Sequence, residues 1–388
     1  MTRKRRLLSI AHSYVVAMNR RLAHEMARAG GDHWEVVAVA PDYFHGSGDL
    51  RPVAFEALAS EPCRVEVVPA HLTRFVHVFR YGRRLKEILR ADWDIVHAWQ
   101  EPYVVAAWQI ARWTRRGVPL VYRTAQSLIK RYPPPFGSIE RHNMTRSAGW
   151  ICSGTLVEQT LKQKNLYRNR PMARIPLGVD VEVFKPDRAA GSDVLRKLGW
   201  NETGGCVVGY LGRFVPAKGL DLLMSALDEC PLSWRMLFIG AGPEEPAIHK
   251  WSQRWPQRVR VCTDVRHADV PRYLNAMDLM CAPSQTTPNW REQFGRMIIE
   301  AFATGVAVIG SDSGEIPHVI GDSGIVCPER DRVAWTAALT ELLGDPARRA
   351  ALGARGLQKA REQFAWQVVG RSYLDFFERI LAGGREPS

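Results

Sequence analysis

Apolar residues along the chain fall into two patterns: short solid runs, and longer stretches with apolar positions three and four apart. Leu7–Ala11, Trp34–Ala40, Asp94–Ala98, Leu120–Thr124 and Trp150–Ser153 are of the first kind. Runs of this length and continuity predict strands buried on both faces of a parallel sheet. Between the first two, Val16–Ala29 has helical spacing and stops at Gly30-Gly31, the residue type that closes a helix in a left-handed turn. Strand, helix, strand with short turns predicts a doubly wound α/β unit whose ligand crevice lies at the carboxyl ends of its strands. The pattern restarts at Val207–Leu211, continues with a helix from Lys218-Gly219-Leu220 through Leu227, and adds Met236–Gly240, Val259–Cys262, Leu279–Ala282 and Val306–Gly310. Two Rossmann-like domains with parallel sheets follow, spanning residues 1–190 and 191–365.

Other stretches are less regular. Asp42–Pro69 reads as loops and short strands. In His71–Arg90, Leu72, Phe75, Val76 and Phe79, then Leu85, Ile88 and Leu89, recur at helical spacing among Arg74, Arg80, Arg83, Arg84 and Lys86. This predicts a helix packed on the sheet with a solvated basic face, or a surface turned to a membrane or an acceptor phosphate. Lys130–Phe136, with three consecutive prolines, is a rigid basic loop. Asp331–Leu343, Ala347–Gln363 and Trp366–Leu381 read as helices, the last with Val369, Tyr373, Phe376, Phe377 and Ile380 on one stripe.

With 388 residues and 46% hydrophobic content, the chain can bury two cores. Lysine and arginine outnumber acids by 53 to 40, a net charge of +13, which favours an anionic partner: a nucleotide sugar, an anionic membrane surface or nucleic acid. Cys63, Cys152, Cys206, Cys230, Cys262, Cys281 and Cys327 are scattered, without metal-ligand spacing; they read as reduced thiols in a cytosolic compartment. Arg3–Arg6 before Leu7–Ile10 superficially resembles the charged start of a signal peptide, but His12 interrupts the apolar run. No run reaches the ~18 apolar residues of a membrane span. The expectation is a cytoplasmic protein, with peripheral contact at the inner membrane face compatible with its charge.

The candidate chemistry centres on Ser284–Gly324. Polar and proline-rich residues to Trp290 form a loop, Met297, Ile298, Ala301 and Phe302 then recur at helical spacing, and Gly305 closes the helix. Glu292 thus precedes a helix N-terminus and Glu300 lies inside the helix. A helix start carries partial positive charge and free N–H groups, and Gly295 admits a ligand close to the backbone. A diphosphate suits that position, with a carboxylate at either end for hydroxyl-rich groups. Gly212-Arg213 after one strand and Lys218 at the next helix start supply two cations for the same phosphates.

Glu292, one free position, Phe294-Gly295, and Glu300 with seven residues between the acids resemble the signature of the retaining glycosyltransferases of family four. The Gly212-Arg213 and Lys218-Gly219 segment and Arg174–Asp180 resemble further landmarks of that family. The resemblance implies the GT-B fold, two Rossmann-like domains with parallel sheets facing a central cleft, a terminal helix at 366–388 crossing back to the first domain, and transfer of a sugar from a nucleoside diphosphate sugar to a hydroxyl acceptor with retention. It implies that Glu292 holds the transferred sugar and Glu300 the ribose. The amides of Phe294, Gly295, Arg296 and Met297, with Gly212, hold the diphosphate, and the backbone around Val265 holds the base. Arg213 and Lys218 would stabilise the leaving group, so that no metal is required. The first domain would bind a saccharide or lipid-linked acceptor, with His12, Ser13, Gln126 and Ser153 at its strand ends. Four departures stand out: Ser13-Tyr14 replaces paired glycines, Gln126 stands where many relatives have histidine, Leu177 replaces the usual asparagine, and Gly314-Glu315-Ile316-Pro317-His318 replaces Gly-Gly-x-Pro-Glu. Rival readings are a GT-B epimerase or phosphorylase and a basic nucleic-acid binder, although no nucleic-acid-binding motif is visible.

Overall fold

Alternate residues of the first buried run sort to opposite sides of one sheet. In β1 (Arg5–Ala11), Leu8 and Ile10 enter one core, while Leu7 and Ala11 enter another on the opposite face. The computed structural model describes residues 3–45, 52–200 and 205–383. They divide into two units, Met1–Pro176 with Trp366–Ser388, and Leu177–Ala365.

The first unit contains β1, β2 (Trp34–Pro41), β3 (Arg64–Val68), β4 (Ile95–Trp99), β5 (Leu120–Thr124), β6 (Gly149–Cys152) and β7 (Met172–Arg174). Their order is β7-β6-β5-β4-β1-β2-β3, all parallel. Strands covered on both faces need no polar alternation, and that is why the sequence shows solid apolar runs here. Helix α1 (Ala17–Gly30) follows β1 through a short 3-10 turn, His12–Val15.

The second unit repeats the architecture with β8 (Cys206–Leu211), β9 (Trp234–Ile239), β10 (Val259–Cys262), β11 (Leu279–Ala282), β12 (Ala307–Ser311) and β13 (Ile325–Cys327) in the order β10-β9-β8-β11-β12-β13, again all parallel. Helix α2 (Leu220–Glu229) buries Leu220, Leu223 and Leu227 in the core on one face of this sheet. Helix α3 (Arg296–Ala303) buries Ile298, Ile299 and Phe302 in the core on the other. Both units are the Rossmann-like, parallel-sheet domains that the periodicity predicts.

The chain returns to the first unit as α4 (Trp366–Leu381). Val369, Tyr373, Leu374, Phe376 and Phe377 of its apolar stripe join the core that contains Leu7, Val36 and Ile95. Under the stripe lies His97 of β4, fully buried, with its ring 5.3 Å from Tyr373 and 5.6 Å from Phe377. Its Nδ1 is 2.9 Å from Ser9 Oγ, and the buried Arg123 guanidinium donates to the Tyr373 hydroxyl. His97 is therefore a packing residue beneath the returning helix.

Two segments differ from expectation. The domain boundary falls at Pro176–Leu177, ahead of residue 190, because the intervening residues pack with the second unit: the Val179 N–H donates to Phe364 O at 2.7 Å and Phe184 enters that unit's core. Only Arg84–Arg90 of the 71–90 stretch is α-helical. Upstream, Ala70–His71 pairs antiparallel with Arg80–Tyr81. Phe79 and Tyr81 are buried on either side of exposed Arg80, a strand period of two that overlaps the helical spacing around it. Residues 46–51 of the irregular 42–69 stretch lie outside the described residues.

Two outcomes follow for stability. Phe377→Ala removes a buried ring from the α4 stripe and is expected to cost about 3–5 kcal/mol, read by urea denaturation. Burial, and then the nearby Arg123 charge, push the His97 pKa down to about 3. Below its ordinary pKa the unfolded chain takes up a proton that the folded chain refuses, so stability falls as pH drops from about 6.5 towards 3. His97→Gln is expected to flatten part of that decline in melts run across this window.

Candidate functional site

In the second unit the strand ends bring together most of the residues singled out in the sequence. The loop after β11 starts at Ser284, which is buried, and runs to Glu292, also buried, just before α3. Lys218 closes the 3-10 turn that precedes α2. Its Nζ lies 2.5 Å from Glu292 Oε2 and 3.5 Å from Ser284 Oγ, while Ser284 Oγ donates to Glu292 Oε2 at 3.2 Å. A charged pair this far from solvent is tolerated only because each partner satisfies the other. The ammonium also sits 4.9 Å from the ring centroid of Trp290, a cation–π contact.

The surrounding loops are fixed by short hydrogen bonds. The Gln285 N–H donates to Ala217 O at 2.8 Å, tying the Glu292 loop to the turn carrying Lys218. Ser311 Oγ donates to Ser284 O at 2.5 Å, and Thr286 Oγ1 lies 3.0 Å from Ser313 Oγ. The Glu315 N–H donates to Glu292 O at 3.0 Å, and a Cβ on Gly314 would stand 2.0 Å from that same oxygen. The departure at Gly314-Glu315 thus keeps the glycine that the close approach requires, and the segment's role here is to hold the Glu292 backbone.

Gly295 caps α3 with φ of 84°, a left-handed turn that favours glycine. Just before it, the ring of Phe294 is buried edge-on against Phe364 at 6.0 Å. Arg296 and Met297 are half-buried in the first turn. Glu300, further along α3 and buried, has Oε1 3.6 Å from Nε2 of His267, which begins the short turn beyond β10. The ring of Phe184 meets His267 edge-on at 5.9 Å, and Val265 packs against the same core. One helix therefore presents a carboxylate pairing with a lysine before its start and a carboxylate facing a histidine within it.

Arg213 follows β8 on the surface, and its carbonyl accepts from the Tyr210 hydroxyl at 2.8 Å. Tyr210 is raised above its ordinary range chiefly by burial; the Glu292 charge raises it further and the Arg213 charge lowers it. Glu292 and Arg213 thus both act on this hydroxyl. Lys218 is committed to Glu292, whereas Arg213 keeps an exposed side chain. Among the described residues no group of three or more His, Cys, Asp and Glu side chains has metal-binding geometry.

In the first unit, the four expected residues follow the ends of three strands, β1, β5 and β6. His12 Nδ1 is 2.8 Å from Gln100 Oε1, and its ring packs against Phe44 and Phe79 at 4.9 and 5.6 Å. Burial lowers its pKa from the usual value, which favours the neutral ring. Ser13 Oγ is buried without a hydrogen-bond partner. Ser153 is buried just beyond β6. The Gln126 amide is already engaged: Nε2 donates to Glu140 Oε1 at 3.2 Å, and Oε1 accepts from Lys164 at 3.1 Å and from Tyr132 at 3.2 Å. The sequence reading gives Ser284 and Trp290 only as the bounds of a loop, and His267 only as the end of the backbone stretch expected to hold the base. Ser284 and His267 follow strand ends, the location where a parallel sheet places ligands, so position alone was a usable signal.

A family model described as glycosyltransferase family 4 matches residues 15–183, and one described as glycosyl transferases group 1 matches residues 205–345. The chain is 30% identical over 222 residues to a GDP-mannose-dependent monoacylated alpha-(1-6)-phosphatidylinositol monomannoside mannosyltransferase of Corynebacterium glutamicum, covering 55% of this chain and 58% of that protein. It is 26% identical over 410 residues to a D-inositol 3-phosphate glycosyltransferase of Salinispora tropica, covering 92% and 82%. The matched stretch spans about half the length of the first curated relatives. Among solved structures, sucrose-phosphate synthase from Thermosynechococcus elongatus superposes with a TM-score of 0.71 at 18% identity, covering 98% of this chain and 100% of that one; this likeness shows the GT-B fold.

The buried ion pair has a testable cost. Lys218→Met leaves the Glu292 carboxylate without its counter-charge and is expected to destabilise the unliganded protein by about 3 kcal/mol. Adding Glu292→Gln to that variant should restore most of the loss, as read by urea denaturation of the two single variants and the double variant.

Proposed function

Because the chain belongs to the glycosyltransferases of group 1 and family 4, we propose that it moves a sugar from a nucleoside diphosphate sugar to a hydroxyl acceptor with retained anomeric configuration. The bond from the anomeric carbon to the diphosphate oxygen breaks, a bond from the acceptor oxygen to the same carbon forms, and the hydroxyl proton passes to the departing diphosphate. The observation that carries this reading is the Lys218–Glu292 pair at the start of α3. It sets a cation and a hydroxyl-binding carboxylate beside a helix N-terminus, the combination a sugar diphosphate needs.

In this reading the donor lies along α3. The amides from Phe294 to Met297, with Gly212, receive the diphosphate, Lys218 and Arg213 offset the charge that grows on it, and Glu292 binds the sugar hydroxyls. Glu300 binds the ribose, and the backbone at Val265 receives the base. These groups supply the charge stabilisation that a metal would otherwise provide. The first unit binds the acceptor, with His12, Ser13 and Ser153 at its strand ends. Gln126 acts by holding Glu140 and Lys164 in place. The acceptor is a saccharide or a lipid-linked saccharide, in keeping with the phosphatidylinositol and inositol phosphate acceptors named for the two relatives. The reaction then serves polysaccharide or glycolipid assembly at the cytoplasmic membrane face. No described helix is long and apolar enough to cross a membrane.

The test begins with a panel of nucleotide sugars, one of which should raise the melting temperature, because a ligand that binds only the folded state stabilises it. With that donor and a competent acceptor, Glu292→Ala and Lys218→Ala should each lower kcat by about 10²–10³, and a chelator should leave the rate unchanged. Intact turnover in both variants, or turnover of the donor without any acceptor, refutes the assignment.

A further inference from the structure

In the first unit's sheet β1 and β4 are neighbours with Ala11 opposite Trp99, so the next residues, His12 and Gln100, leave the sheet side by side. The His12 ring is held from three directions. Phe44 and Phe79 flank it and meet each other edge-on at 5.1 Å, while Gln100 Oε1 stands 2.8 Å from Nδ1. Gln100 is itself buried and fixed, since its Nε2 donates to the Tyr81 hydroxyl at 2.9 Å. Tyr81 is tied down in turn: the Gln109 side chain, on the helix Val105–Trp113, accepts from the Tyr81 N–H at 2.9 Å and donates to its carbonyl at 3.1 Å. The turn that carries His12 is pinned as well, with Asn19 Nδ2 donating to Ser13 O at 3.1 Å.

This relay fixes where the ring carries its hydrogen. An amide nitrogen only donates and an amide oxygen only accepts. With the Gln100 nitrogen spent on Tyr81, its oxygen faces His12, so Nδ1 carries the proton of the neutral ring and Nε2 keeps a lone pair. Burial lowers the pKa of the ring, the Gln100 bond offsets part of that, and no charged group contributes. Burial also raises the Tyr81 hydroxyl above its ordinary range, so the far end of the relay stays protonated. The ring is half-buried, and Nε2 is neither sealed from solvent nor bonded to any described residue. A fixed and accessible lone pair takes an O–H group and repels the oxygens of a phosphate or carboxylate.

We propose that His12 Nε2 accepts a hydrogen bond from a hydroxyl of the acceptor, and that Gln100 and Tyr81 are the positioning residues that aim it. This rests on the reading of the first unit as the acceptor-binding unit. It adds the chemical class of the group received there: a neutral hydroxyl, with any anionic group of the acceptor held elsewhere. Protonation of His12 removes the lone pair, so acceptor binding weakens as pH falls through the pKa of the ring.

The test uses the full chain with isotope-labelled imidazole nitrogens. Long-range proton–nitrogen correlation spectra at neutral pH should show His12, identified by the signal lost in His12→Phe, in the Nδ1–H form, and Gln100→Leu should give a mixture of both forms. With GDP or UDP present, myo-inositol or a methyl hexopyranoside should move the Nε2 resonance and leave Nδ1 in place, whereas sulfate should move neither. In turnover with the donor selected by melting and the saccharide that moves Nε2, Gln100→Leu should raise the acceptor KM about tenfold, the worth of one hydrogen bond, and leave the donor KM unchanged. Gln100→Glu still accepts from Nδ1 and raises the pKa of the ring by about one unit. It should therefore restore the wild-type acceptor KM at alkaline pH and lose it, on acidification, about one pH unit before the wild type does. The inference is overturned by an Nε2–H ring in the wild type, by sulfate moving Nε2 as the saccharides do, by no saccharide moving it, or by equal pH profiles of the wild type and Gln100→Glu. The spectra need no turnover: the expected spectra with an inert donor panel refute the proposed reaction alone, and an active wild type with an Nε2–H ring refutes this inference alone.

Discussion

Two charges 2.5 Å apart and largely removed from water hold the second unit's candidate site in its present form. Taking Lys218 or Glu292 out of solvent alone would be expensive, so the pair imposes conditions on everything near it. Ser284 must bring its hydroxyl to the same carboxylate oxygen. The turn before α2 and the loop after β11 must be stitched together, as they are through Ala217 and Gln285. The segment after β12 must pass so close to the Glu292 carbonyl that residue 314 has no room for a side chain. The site is thus organised before any ligand arrives. A bound sugar diphosphate would exchange partners with it: phosphate for the ammonium and hydroxyls for the carboxylate. Neither charge would then be left buried alone.

Much of this architecture was legible in the sequence, for a physical reason. Strands covered on both faces carry no polar alternation, so β1, β4, β5, β8 and β9 stand out as solid apolar runs. The left-handed Gly295 and the two acids around α3 are likewise local features. The contact between Lys218 and Glu292 was not legible, because they are 74 positions apart and meet only through the order in which β8 and β11 pair. The sequence suggested both as phosphate or sugar ligands without showing that they neutralise each other.

Elsewhere the pattern was ambiguous. Between residues 71 and 81 apolar positions satisfy the helical and the strand period at once; Arg80–Tyr81 pairs with Ala70–His71, and the residues between them form turns. His97 lies in the middle of β4, where the returning α4 covers it with Tyr373 and Phe377. Gln126 is similar. Its position suggested contact with a sugar, but its amide is spent on Glu140, Lys164 and Tyr132. In both cases a long-range partner, invisible in the local sequence, decided what the residue does.

The first unit is interrupted in sequence and the second is not. Residues 1–176 build a sheet whose α1-bearing face is completed only by α4, which is encoded after the whole of the second unit. During synthesis the inserted unit can therefore acquire its entire core while Leu7, Val36 and Ile95 still lack their cover. That interval leaves a sticky apolar face on the nascent chain. The sheet of the first unit thus waits for a helix that the chain encodes only beyond the inserted unit.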